Sequence, residues 1–346
     1  MAAALAVQPD LEAARLAAAA EGERGRAASA LPAPELMAEA WQVPLERPVA
    51  FADAQMLSLG LRQAIPAPGS LGARADAAAR RREGAAARGL AREAELRAEV
   101  LHALADVEEA DRRRELHLTH RDVAERVFLT AQARMAAGGK LVDVAQAELA
   151  RARIHADVTM DAARAAAARA HLNVWLGRAP AAPLGALRPR PSSTVAESDE
   201  GLLSRASAGP PVREAQAQEK ASAAVAEASA AEARWPAFTV GLSYFAPTNL
   251  MPFHGYGATL GASLPWLWGP ARAQRDADRY DAESNAATAR GAKLRARAEL
   301  VFALGRVRQA EARVVALGGA ALAAARRAQA VALAAYEAGQ GDLLGV

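Results

Sequence analysis

Apolar side chains alternate with small or polar ones along three short stretches of this chain. Phe238, Val240, Leu242 and Tyr244 alternate with Thr239, Gly241 and Ser243; Tyr256, Ala258, Leu260, Ala262, Leu264 and Trp266 alternate with Gly257, Thr259, Gly261, Ser263 and Pro265; Leu57, Leu59 and Leu61 alternate with Ser58, Gly60 and Arg62. Period-two alternation gives a strand one greasy and one small or polar face. Glu35 to Val43 reads as a fourth, less regular strand. The expected strands are thus about 35–43, 55–65, 236–246 and 255–266. Runs of about 9–11 residues suit a tilted strand crossing a bilayer. Strands half-buried in a soluble sheet carry the same pattern, so alternation alone leaves both readings open.

The pattern changes after each pair of strands. Pro66 and Pro265 cannot donate to a sheet ladder and end their strands, and Gly69 or Ser70, and Gly269-Pro270, then open helices. No proline occurs from Leu71 to Ala137 or from Ala271 to Val346. This predicts long helices over 70–137 and 271–338, the first roughly 100 Å long at ~1.5 Å per residue. Leu300, Leu304, Val307, Val314 and Leu317 form a coiled-coil seam. Alanine, the best helix former, extends well beyond that stripe, which suits helices packed on both flanks in a wall.

The order of elements repeats at a shift of about 200 residues. Pro9, Glu12, Ala13 and Pro34 fall on Pro211, Glu214, Ala215 and Pro236; Ala98, Glu99, Ala103, Leu104, Val107 and Ala110 fall on like residues from Ala298 to Ala310; Gly139, Leu141 and Val144 meet Gly341, Leu343 and Val346. The expected division is a first repeat over 1–178, with a return helix at 141–176, a Pro-rich linker over 179–209, and a second repeat over 210–346.

Composition narrows the function classes. Aromatic residues are only 4% of a chain that is 52% hydrophobic, and the formal net charge is +3. Thin helix interfaces, rather than a thick globular core, follow. Arg80-Arg81-Arg82 and Arg112-Arg113-Arg114 sit in helical sequence among acids, as on a solvated face, and no nucleic-acid partner is expected. With no cysteine, disulfides, thiolate zinc sites and a Cys nucleophile are excluded. No apolar run is long enough for a spanning helix. The start of the sequence lacks a secretion-signal pattern, so the chain is either cytosolic or read without its signal. Most aromatics gather at the strands; Trp41, Tyr244, Tyr256, Trp266 and Trp268 are candidates for a membrane-interface girdle. Four strands cannot close alone. Two chains would make a filled eight-stranded barrel, and three a twelve-stranded one with a water-filled bore; Gly, Ser and Thr on the alternate faces favour the open one.

The stretches "LPAPEL" (Leu31 to Leu36), "MLSLGLRQAIPAPGSLGAR" (Met56 to Arg74), "WPAFTVGLSYF" (Trp235 to Phe245) and "YEAGQGDLLGV" (Tyr336 to Val346), in this order and spacing, resemble the TolC-like outer-membrane efflux proteins, most closely their cation-efflux branch. The resemblance covers nearly the whole chain. It implies a mainly α fold with a small β part: long helical hairpins in an α-barrel, plus four membrane strands per chain in a trimeric twelve-stranded barrel. It implies a passive exit duct for metal ions or drugs in a Gram-negative outer membrane, docked to a periplasmic adaptor (a membrane fusion protein) and an inner-membrane pump of the RND type. It also implies adaptor docking at the helix-hairpin tips, here Arg134, Ala137, Gly138, Gly139 and Asp143 in the first repeat and Tyr336, Gly339 and Gly341 in the second. The family's tip pattern, aromatic-x-x-Gly with Asp six residues on, is met by Tyr336 and Gly339 but has Gly345 at the Asp position; the first tip has Arg134 and Ala137 at its aromatic and Gly positions, and Asp143 matches. The chain lacks an export signal and the N-terminal lipidated Cys of many members, and it stops where a returning helix is expected, so it reads as a fragment.

Two other classes stay in view. A soluble Ala-rich coiled-coil scaffold or adaptor-like helical hairpin accounts for the helices but not for the aromatic-edged strands. For an enzyme the chain offers little. His117 and His120 stand on adjacent helical turns beside Glu115 and Asp122, a weak candidate metal site that reads better as an exposed helix face. No phosphate loop, nucleophile elbow or HExxH pattern occurs, so no catalytic residue, metal or cofactor is expected.

Overall fold

The computed structural model describes residues 5–185, 187, 195–267 and 269–341. The elements run α1 (Pro9–Ser29), β1 (Glu35–Trp41), β2 (Met56–Ile65), α2 (Ser70–Ala136), α3 (Leu141–Trp175), α4 (Asp199–Ala206), α5 (Pro210–Arg234), β3 (Ala237–Ala246), β4 (Gly255–Ser263), α6 (Gly269–Ala316) and α7 (Leu322–Glu337). The chain packs as two compact units, each drawing on both halves of the sequence: Glu12–Ala91 with Ser204–Arg297, and Met1–Leu11 with Arg92–Leu203 and Ala298–Val346.

The first unit holds a single antiparallel sheet in the order β1-β2-β3-β4. Its register fixes the faces. Leu61, Leu242 and Ala258 stand side by side, as do Leu59, Tyr244 and Tyr256, and Ala38 sits opposite Leu59. One face is therefore apolar except at Gln63, which stands opposite Val240, and Leu242 and Leu260 are wide open to the surroundings. The other carries Glu35, Arg62, Thr239, Gly241, Ser243, Thr259 and Gly261, with Glu35 directly opposite Arg62. Small residues on that face allow close approach: a Cβ on Gly60 would lie 2.6 Å from Ser243 Oγ. Among the described residues nothing pairs with the outer edges of β1 and β4.

The strand-to-helix change after β2 has a local cause. Gly69 adopts φ +81°, and buried Ser70 turns its hydroxyl back to Ala67 O at 2.7 Å. After β4 the sequence reads as strand up to Trp266, but the ladder ends at Ser263 and Pro265–Leu267 form a 3-10 turn; Pro265 has no N–H to continue the pairing. Helices α1 and α5 pack on α2 through small residues, with Ala77, Ala224 and Ala228 buried together and Arg74 paired with Glu232 at 2.5 Å.

In the second unit α2 and α3 form an antiparallel hairpin. Its rungs are Asp111–Arg169 at 2.8 Å, His117–Asp161, Glu125–Arg151 at 3.5 Å, and Ala131 against Ala147. Near its far end Val100, Ala103, Val107 and Leu172 form an apolar cluster. Arg92 grips Asp10 through Nε and Nη2 at 3.1 and 2.6 Å; these bonds, then Glu95, raise the guanidinium pKa further above its ordinary value, so the clamp is charged at any working pH. The sequence reads as one helix over 271–338, but it is interrupted at Leu317–Ala321, where Gly319 leaves helical geometry at φ −91°, ψ −119°. Adjacent glycines Gly318-Gly319 supply a break where no proline occurs.

Candidate functional site: hairpin tips and aromatic-edged sheet

The two tips come together in the second unit. The first turns at Gly138, φ +94°, with Gly139 N–H donating to Arg134 O at 2.8 Å. The second turns at Gly339, φ +79°, with Gln340 N–H donating to Ala335 O at 2.9 Å. Such left-handed glycines close helix ends cheaply. Arg134 joins the tips: Nη1 donates to Tyr336 O and Gly341 O, both at 3.2 Å, and its guanidinium lies 4.5 Å from the Tyr336 ring centroid. Tyr336 is fully buried against Val127, Phe128, Ala131 and Ala147. Asp143 is buried in the first turn of α3, where a carboxylate favours the helix dipole. Ala137, Gly138, Gly139 and Gly339 remain exposed around this core. The bridging role of Arg134 was hidden in sequence, where it stands only as a misfit at an aromatic position. Leu343, Gly345 and Val346 lie outside the described residues.

The girdle candidates divide. Tyr244 and Tyr256 pair across strands on the apolar face at the loop end of the sheet, and the Tyr244 hydroxyl meets His254 Nδ1 under stacked rings. Trp266 lies at the helix end, in the 3-10 turn, about half exposed. Trp41 does not join them. It lies on the polar face, with Nε1 donating to Glu39 Oε2 at 3.1 Å; its odd offset from Ala38 in the alternation puts it there. Trp268 lies outside the described residues.

His117 is not on an open face. Its Nδ1 is 2.6 Å from Oδ2 of buried Asp161, whose Oδ1 is 3.4 Å from Arg113 Nε. Among the described residues no group of three or more metal-ligating side chains comes together, and no helix is long and apolar enough to cross a membrane.

Solved structures share this architecture. The outer-membrane channel OprN superposes with a TM-score of 0.80 at 21% identity, over 99% of this chain and 80% of its own. CusC, whose structures follow folding and transmembrane channel formation, gives 0.81 at 18% identity, over 100% and 83%. The outer membrane protein VceC of Vibrio cholerae gives 0.79 at 19%, over 99% and 86%. This chain has the outer-membrane channel fold. No family model matches the sequence, and none of the curated proteins does.

Proposed function

We propose that this protein is the outer-membrane exit duct of a tripartite efflux system. One observation carries the reading: a four-stranded sheet whose two edges are unpaired among the described residues has one face apolar but for Gln63 and the other mostly small or polar, with large apolar side chains left open. In water such a sheet would be unstable; in a bilayer, pairing β4 of one copy with β1 of the next satisfies every edge. Three copies give twelve strands around a wet bore. In this reading 1–178 and 210–346 are two repeats joined by 179–209. The tips around Arg134 and Tyr336 dock a periplasmic adaptor and, through it, an inner-membrane pump, while Tyr244, Tyr256 and Trp266 sit at the lipid interface. No chemical step is assigned. Cargo is metal ions or drugs, the former by resemblance to the cation-efflux branch, with selectivity residing in the pump.

The intact protein, purified in detergent and added to planar bilayers, is expected to run as a trimer and give stepwise ion conduction. A monodisperse soluble monomer or dimer without detergent would contradict the duct and favour the helical scaffold. At the tips, Gly339→Leu strains a φ of +79°, and a several-fold loss of adaptor cross-linking is expected with trimer yield unchanged.

A further inference from the structure

The loops at the outer end of the sheet form an apolar crown. The 42–55 loop displays Leu45, Val49 and Phe51, and the 247–254 loop displays Leu250 and Phe253; Leu45 is 96% exposed and Val49 81%. These loops are not loose. Asp53 binds Arg47 Nη1 at 2.9 Å through one oxygen and Asn249 Nδ2 at 2.7 Å through the other. Asn249 N–H donates to Ala52 O at 2.9 Å, and Thr248 and Met251 close the second loop on itself. Ala54 and Thr248 are buried beneath. Polar bonding is thus directed inward and the large apolar side chains outward, the reverse of a loop built for water.

We propose that the crowns of neighbouring copies meet over the bore as an apolar constriction at its outer mouth. The inference rests on the trimeric duct proposed above. Charge argues for a second copy rather than lipid as occupant. Phosphate-rich headgroups are recognised by Lys and Arg clusters, but the only Lys or Arg in the crown, Arg47, is committed to Asp53. Glu46 is the remaining formal charge. Position agrees: the crown joins β1 to β2 and β3 to β4, so it continues the edges that copies must pair. Trp41 places the entry to the first loop on the polar, bore-side face, and Gln42, at φ +54°, turns the chain there. Reach is sufficient. Twelve strands ~4.8 Å apart and tilted ~40° enclose a radius of about 12 Å, and half of the 42–55 loop extends at most about 23 Å. Apolar constrictions gate by dewetting, so the crown would restrict ion flow without any charged gate.

The absence of native cysteine makes the test clean. Val49→Cys in the intact protein, treated with a mild oxidant in detergent and in lipopolysaccharide-containing vesicles, is expected to form inter-copy disulfides in both; Leu260→Cys, on the apolar face of β4, is the control expected to form none. In planar bilayers Val49→Asp is expected to raise single-channel conductance at least two-fold. A native-mass trimer in which Val49→Cys does not cross-link and Val49→Asp leaves conductance unchanged overturns the crown and leaves the duct standing. Protection of Val49→Cys from a water-soluble thiol reagent only in lipopolysaccharide vesicles, without cross-linking, overturns it in favour of lipid. A monomer overturns the duct and the crown together.

Discussion

Arginine at Leu242 is expected to abolish assembly in the outer membrane. Leu242 lies mid-strand between Leu61 and Ala258 on the apolar face. Arginine at the bilayer midplane of a barrel costs about 2–4 kcal/mol, a cost that recurs in each copy of an oligomer. Heat-modifiable trimer in outer-membrane fractions should fall to near zero. Thr259→Arg, in the adjacent strand on the opposite face, is expected to keep most of the trimer, because a water-filled bore hydrates the guanidinium. Equal loss in both variants would show that both faces are buried in protein, as in an ordinary soluble sheet.

The second large effect is expected at the tips. Tyr336→Ala removes a fully buried aromatic from the cluster of Val127, Phe128, Ala131 and Ala147, a change worth about 3–5 kcal/mol for large aromatic side chains. Arg134 then loses its ring contact while keeping bonds to two carbonyls. Limited proteolysis should cut α7 and the first tip turn many-fold faster, with the sheet unaffected. Arg134→Ala should act in the same direction but less, since it removes hydrogen bonds from a charged group, about 1.5–3 kcal/mol, on a half-buried side chain. Arg134→Lys keeps one nitrogen able to meet both carbonyls but loses the planar guanidinium over the Tyr336 ring, and should fall between the native protein and the alanine variant. Unchanged cleavage in Tyr336→Ala would show that the tips do not depend on one another.

How much was legible in the sequence varied with the kind of interaction. Strands β2, β3 and β4 announced themselves because apolar positions alternate with small or polar ones without exception from Leu57 to Leu61 and from Phe238 to Tyr244. β1 was harder to read because Glu35 and Glu39 bracket Leu36-Met37-Ala38, an apolar run without alternation, yet its register with β2 is continuous. Prolines marked strand ends well, although at Trp266 the alternation outran the hydrogen-bonded ladder. Long-range partners left no local trace. Nothing near Asn249 points to Asp53, nor does α3 betray that Asp161 faces His117. Trp41 has the aromatic identity of a girdle residue but the strand parity of Glu35 and Glu39, which puts it on the polar face. The Gly318-Gly319 break was visible as letters, but an alanine-rich background of high helix propensity masked it.

The proposed duct requires one arrangement: lipid against one face of the sheet and water against the other. Single cysteines from Phe238 to Phe245, introduced into the cysteine-free chain and labelled in vesicles, measure it directly. Reaction with a charged, water-soluble maleimide is predicted at 239, 241 and 243, and reaction with a lipid-partitioned probe at 238, 240, 242 and 244. Uniform labelling by the water-soluble reagent, or none by either, would contradict it.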